Sequence, residues 1–161
     1  MHVGDLGVGE CAGEVVSLFG IEVVKAESQA FEAQLALEEG DYERAETLAF
    51  RAMLTAARSL VRIEYIDVTE DPDEIVREWK ARFYDTERFF DRYAKDKFAK
   101  YLLDRHAEPP TNVTRDYAAA RVEEAQLFIE AAHACGARLD AAALAGAGGG
   151  VEIQSEAPAN A

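Results

Sequence analysis

Between residues 21 and 138 apolar positions recur at spacings of three and four and almost never alternate, which is the signature of helices rather than strands. The clearest stretch is 40–65, GDYERAETLAFRAMLTAARSLVRIEY. Ala45, Ala49, Ala52, Ala56 and Leu60 form one stripe, and Phe50, Leu54, Ala57 and Val61 form a second beside it. A helix with two adjacent stripes must touch more than one neighbour. Alanine at the contact lets another helix axis approach to the short end of the usual ~8–10 Å range. The ends are marked as well. Gly40 suits the end of a preceding helix, Asp41 suits a cap, and Glu43 and Glu46 lie where the helix dipole favours negative charge. Arg58 and Arg62 lie toward the opposite, cation-favouring end.

The flanking segments read as further helices. Residues 21–39 carry Val24, Phe31, Leu35 and several alanines on an expected apolar face, and the short break at Gly40 implies an antiparallel hairpin. The pair is superficially like a tetratricopeptide repeat, but nothing similar recurs about 34 residues on, so an array is rejected. Asp71-Pro72-Asp73-Glu74 combines a cap, a proline at the first helical position and an acidic first turn. The third helix it opens carries Ile75, Val76, Trp79, Phe83, Phe90 and Tyr93, and is expected to run to about Tyr93. Residues 95–106 make a shorter fourth helix, or a continuation of the third after a bend, broken by Pro109-Pro110. A last helix spans about 114–138, with Val122, Ala125, Ile129 and Ala132 on one stripe and Phe128, Ala131 and Cys135 beside it. The expected fold is therefore all-α, an up-and-down bundle of about five helices over residues 21–140. Residues 1–20, with five glycines, read as a connector, and residues 141–161, rich in alanine and glycine, as a flexible tail.

Composition narrows the setting. A chain of 161 residues suits one domain able to bury a core without disulfides. No apolar run approaches the ~18 residues of a membrane span, and no basic segment leads into an apolar one as in a secretory signal. Cys11 and Cys135 are far apart and form no CxxC or zinc spacing, so free thiols in a reducing cytoplasm are expected. The formal net charge of −14 repels phosphate backbones. The one basic patch, Lys95, Lys97, Lys100 and Arg105 with Phe98 and Tyr101 interleaved, is interrupted by Asp96 and Asp104, so nucleic acid is not an expected partner.

Candidate chemistry is sparse. Gly7, Gly9 and Gly13 miss the GxGxxG spacing by one place, and there is no Gly-Lys-Ser/Thr. Glu130-x-x-His133 has the spacing of one half of a di-iron site, but no second Glu-x-x-His exists. His133 and Cys135 are two residues apart on a helix and point to different faces. No catalytic residue, metal ligand or cofactor is therefore assigned. Arg105 and His106 are kept as candidates for ligand contact.

The hairpin with GDYERAETLAFRAMLTAARSLV, the aromatic-rich third helix, the proline break and the final RDYAAARVEEAQLFIEAA together resemble a HEPN domain over about residues 21–138. The resemblance implies a bundle of four to five helices. Many such domains are ribonucleases with an arginine separated from a following histidine by four to six residues. Neither His106 nor His133 has an arginine so placed, and that activity is not carried over. Others are non-catalytic partners of a small nucleotidyltransferase, an alternative the resemblance leaves open, ahead of a ribonuclease or a metal-binding four-helix-bundle enzyme. The opening VGDLGVGECAGEVVSLFG resembles the junction at which siroheme-dependent nitrite or sulfite reductases carry a C-terminal helical domain. That resemblance implies an accessory domain and a reductase domain as partner. Two isolated cysteines cannot supply the four that an iron–sulfur and siroheme core needs, so no redox centre is expected.

The functional expectation is thus a non-catalytic accessory, interaction or nucleotide-binding domain, acting as a homodimer or on a protein partner. Its expected interface is the surface of helices three and four. Trp79, Phe83, Phe89, Phe90 and Tyr93, with Arg92, supply more large groups than one inward face can take, and aromatics with arginine make interface anchors.

Overall fold

A computed structural model of the chain describes the backbone of residues 3–160 and the side chains of residues 18–145. It is an all-α bundle: α1 (Val3–Glu38), α2 (Tyr42–Glu64), α3 (Pro72–Trp79), α4 (Lys97–Ala107) and α5 (Arg115–Asn160). Among the described residues there is no strand, only one isolated bridge between Asp91 and Lys95. No helix of the described residues is long and apolar enough to cross a membrane.

The α1–α2 hairpin is the spine. Its turn is a Schellman motif, with Asp41 N–H donating to the Ala36 carbonyl at 2.9 Å and Gly40 N–H to that of Leu37 at 3.1 Å. Gly40 takes φ +83°, a conformation costly for any residue with a Cβ. Asp41 then caps α2 by accepting from Arg44 N–H at 3.3 Å. Between the helices small residues meet small residues. Ala26, Ala30, Ala33 and Ala36 of α1, and Ala45, Ala49, Ala52 and Ala56 of α2, are all buried. The second stripe of α2, Leu54, Ala57 and Val61, is buried too, so α2 is enclosed on most of its circumference.

This inverts the expected orientation of α1. Val24, Phe31 and Leu35 were expected to face the core, yet all three are exposed. The reason is steric. Small residues on both helices let the two axes approach closely, and α1 meets α2 with its alanines inward and Val24, Phe31 and Leu35 outward.

Outer helices differ from expectation in length. α1 is helical upstream of Ile21, and α5 beyond Arg138. Phe19 shows why α1 continues: its ring lies against the backbone of Gly136, so close that a Cβ there would come within 2.2 Å of it. The rest of the expected connector and tail, residues 1–17 and 146–161, lies outside the residues whose side chains are described.

The third helix is shorter than expected. Asp71 caps it by accepting from Glu74 N–H at 3.2 Å, Pro72 opens it, and Glu74 reaches back to the Thr69 N–H and hydroxyl. It ends at Trp79, not near Tyr93, and passes through a π-helical turn, Lys80–Tyr84, into a loop in which Glu87 and Lys95 have positive φ. The break solves a packing problem. On a continuous helix Phe90 would share the face of Trp79 and Phe83 while Phe89 would not. Leaving the helix turns Phe89 inward, 5.0 Å from both Trp79 and Phe128 between ring centroids. Trp79 in turn lies 5.6 Å from Phe128, so the aromatic cluster fills the space beside α2 and α5. The loop is held at the Arg88 carbonyl, which accepts from Cys135 Sγ at 3.4 Å and from Arg138 at 3.0 Å.

Glu64, at the end of α2, ties in the same loop through Arg88 at 2.6 Å and Arg82 at 3.2 Å. Burial alone would raise its carboxyl pKa. Hydrogen bonds and charge from Arg88 and Arg82 offset this and hold it below the ordinary 4.5. A depressed folded pKa gives stabilisation that is present above the unfolded value and lost as pH falls through the folded one. Glu64→Gln should therefore lower the urea midpoint at pH 7, and the gap to wild type should narrow as pH falls below the ordinary 4.5 and through the depressed folded-state value. In the hairpin, Ala52→Leu should cost about 1–3 kcal/mol by urea denaturation, because over-packing forces the helices apart.

Candidate docking face

α1 carries the most conspicuous unpartnered surface. Ile21, Val24, Phe31 and Leu35 are 65, 60, 62 and 41% exposed, and they follow one another at spacings of three, seven and four with exposed Ser28 between. At 100° per residue they lie along one stripe opposite buried Ala26, Ala30 and Ala33. α1 is thus apolar on two opposite sides, small toward the bundle and large toward solvent. A single exposed leucine is ordinary, but four large side chains aligned on one helix face, interrupted only by Ser28, make a candidate interaction surface.

The expected interface on the third and fourth helices divides. Trp79, Phe83 and Phe89 are buried within the chain and form its aromatic core, so they do not reach a partner. Phe90 is 41% and Tyr93 83% exposed, and exposed Arg92 lies over the Tyr93 ring at 5.5 Å. This leaves two separated aromatics on a loop rather than the packed centre of an interface.

Arg105 and His106 prove to be tied into the bundle. Arg105 makes a two-pronged pair with Glu46 through Nε and through Nη2, the latter at 3.1 Å, and its guanidinium lies 4.1 Å from the Phe50 ring centroid. Glu46 is only 2% exposed although it sits on the second turn of α2, so this pair anchors α4 to α2. His106 stacks on the same ring, Phe50, at 6.3 Å between centroids, and its Nε2 is 3.0 Å from Asp73.

Arg105 also lines a polar cleft of about 590 Å³ between α4 and α5. The cleft's basic groups, Lys97, Lys100, Arg105 and Arg121, are matched by Asp96, Asp104, Glu108 and Glu124. Arg121 pairs with Glu124 at 2.6 Å and lies over Tyr117, and Lys100 lies 3.7 Å from Asp96. Its charges compensate one another instead of converging on a ligand.

The other reactive side chains are placed structurally. Cys135 is buried, and desolvation pushes its thiol pKa above the usual range, which suppresses the nucleophilic thiolate. His133 and Glu130 are both exposed on α5. Among the described residues no three metal-ligating side chains form a cluster.

No family model, curated protein or solved structure matches this chain.

The outer stripe of α1 was visible in the sequence as a set of residues but was assigned to the wrong side. The signal that points the other way is the run Ala26, Ala30, Ala33, Ala36, whose spacings of four, three and three come close to the four, three and four of the α2 alanines. Glu46 was read as a dipole-favoured carboxylate, and its partner stands 59 positions away, beyond any local pattern.

Removing one side of the buried Glu46–Arg105 pair leaves the other charge uncompensated. Glu46→Ala should cost about 3 kcal/mol in chemical denaturation, and Glu46→Leu combined with Arg105→Met should recover most of that loss.

Proposed function

We propose that the chain is a non-catalytic helical accessory domain that docks on a protein surface through the outer face of α1. The observation that supports this most directly is the exposed stripe Ile21, Val24, Phe31 and Leu35 on a helix whose core-facing side is already satisfied by alanines. Burying apolar area of that kind is worth about 25 cal/mol per Å², and a chain of net charge −14 has little other reason to present it to water. The engaged state of Arg105, His106 and Cys135 supports the same reading, since each contributes to packing or to a pair within the bundle. The resemblance of the N-terminal segment to the junction of siroheme-dependent nitrite and sulfite reductases names the first heterologous partner to test, a reductase domain of that kind.

Phe31 is exposed, so Phe31→Glu should change unfolding free energy by no more than about 0.5 kcal/mol. The same change should abolish association, read by size-exclusion chromatography with light scattering on the full chain alone and mixed with a purified reductase. Unchanged association would overturn the docking face. Hydrolysis of RNA by the purified chain that disappears in His106→Ala would overturn the non-catalytic assignment.

A further inference from the structure

The outer stripe of α1 is nearly palindromic, and the identity of its occupant follows from that symmetry. Take Ser28 as the centre. Ile21 and Leu35 lie seven residues to either side, and Val24 and Phe31 lie four before and three after. A small residue sits at the centre with large ones flanking it in both directions. The charges beside the stripe follow the same symmetry with opposite sign: Lys25 is three residues before the centre and Glu32 four after, and both are exposed. At 100° per residue Lys25 and Glu32 fall on the same flank of the stripe.

An antiparallel two-fold through the interface brings each flank of a helix against the same flank of its copy, with the ends reversed. Under that operation Ile21 meets Leu35 of the second copy, Val24 meets Phe31, Ser28 meets Ser28, and Lys25 meets Glu32 twice. A parallel pairing instead sets opposite flanks together and brings Glu27 toward Glu32, a like-charge contact. On the other flank of the antiparallel arrangement Glu27 approaches its own copy near the two-fold, one like-charge contact set against the two Lys25–Glu32 attractions.

We infer that the partner on the outer face of α1 is a second copy of this chain, bound antiparallel about Ser28. The inference rests on the docking reading above. Hydroxyl-bearing Ser28, flanked by larger groups, lets the two backbones approach closely, as alanines do on the helix's inner side. The four large side chains expose on the order of 400 Å², about half of what each partner contributes to a standard interface. The polar flanks supply the remainder, and the expected complex is a reversible one of micromolar strength.

Sedimentation equilibrium of the full chain at low ionic strength tests this. Mass should rise toward twice 17.7 kDa over tens of micromolar. Lys25→Glu and Glu32→Lys should each weaken the dimer about tenfold, since each sets two like-charge contacts in place of two attractive ones. Their combination should restore the wild-type constant to within about threefold, which only an antiparallel pairing of these positions produces. In a Cys11→Ser background, Ser28→Cys should oxidise to a disulfide-linked dimer, whereas Glu123→Cys on exposed α5 should not. A chain that stays monomeric at 100 µM, or a dimer indifferent to both swaps, overturns the inference. If the chain is monomeric yet Phe31→Glu still abolishes binding to the reductase, the docking face stands and only its occupant is wrong.

Discussion

The structure depends on the close approach of two alanine faces. Ala45, Ala49, Ala52 and Ala56 line one side of α2, and α1 meets them with Ala26, Ala30, Ala33 and Ala36, which lets the two axes approach closely. Large side chains on α1 are then left on the far side, where nothing among the described residues covers Ile21, Val24, Phe31 and Leu35. The same constraint that makes the hairpin compact creates the surface on which function is proposed. Core bulk is supplied elsewhere, by Trp79, Phe83, Phe89 and Phe128, which pack beside α2 and α5 instead of between α1 and α2.

A second constraint acts at the loop after α3. Trp79, Phe83 and Phe89 cannot all enter one core from an unbroken helix. A π-helical turn and two residues with positive φ reorient the chain, and the Arg88 carbonyl, Glu64 and Arg82 hold the result in place. The loop's polar contacts are therefore part of the core's geometry.

How far the sequence revealed this follows from the range of each interaction. Local signals were legible. Gly40 and Asp41 at the hairpin, Asp71-Pro72 at the start of α3, and Pro109-Pro110 before α5 act within a few residues and were read correctly. The stripes of α2 were also legible, because both are buried and either assignment gives the same core. α1 was not, because it carries two apolar stripes of different size and the choice between them depends on α2. Phe89 against Phe90 was undecidable for a similar reason: one residue of register separates core from solvent, and contacts with α5 set it. The Glu46–Arg105 pair spans 59 positions and leaves no periodic trace.

The small side of α1 faces the bundle and the large side faces outward. Two matched substitutions measure this orientation directly, in urea denaturation at submicromolar protein, where association does not contribute. Ala33→Glu places a charge between α1 and α2 and should cost several kcal/mol or prevent folding. Leu35→Glu, two residues on, should leave the midpoint within about 0.5 kcal/mol of wild type. The reverse order, with Leu35→Glu disruptive and Ala33→Glu tolerated, would contradict the orientation of α1 and the docking face with it.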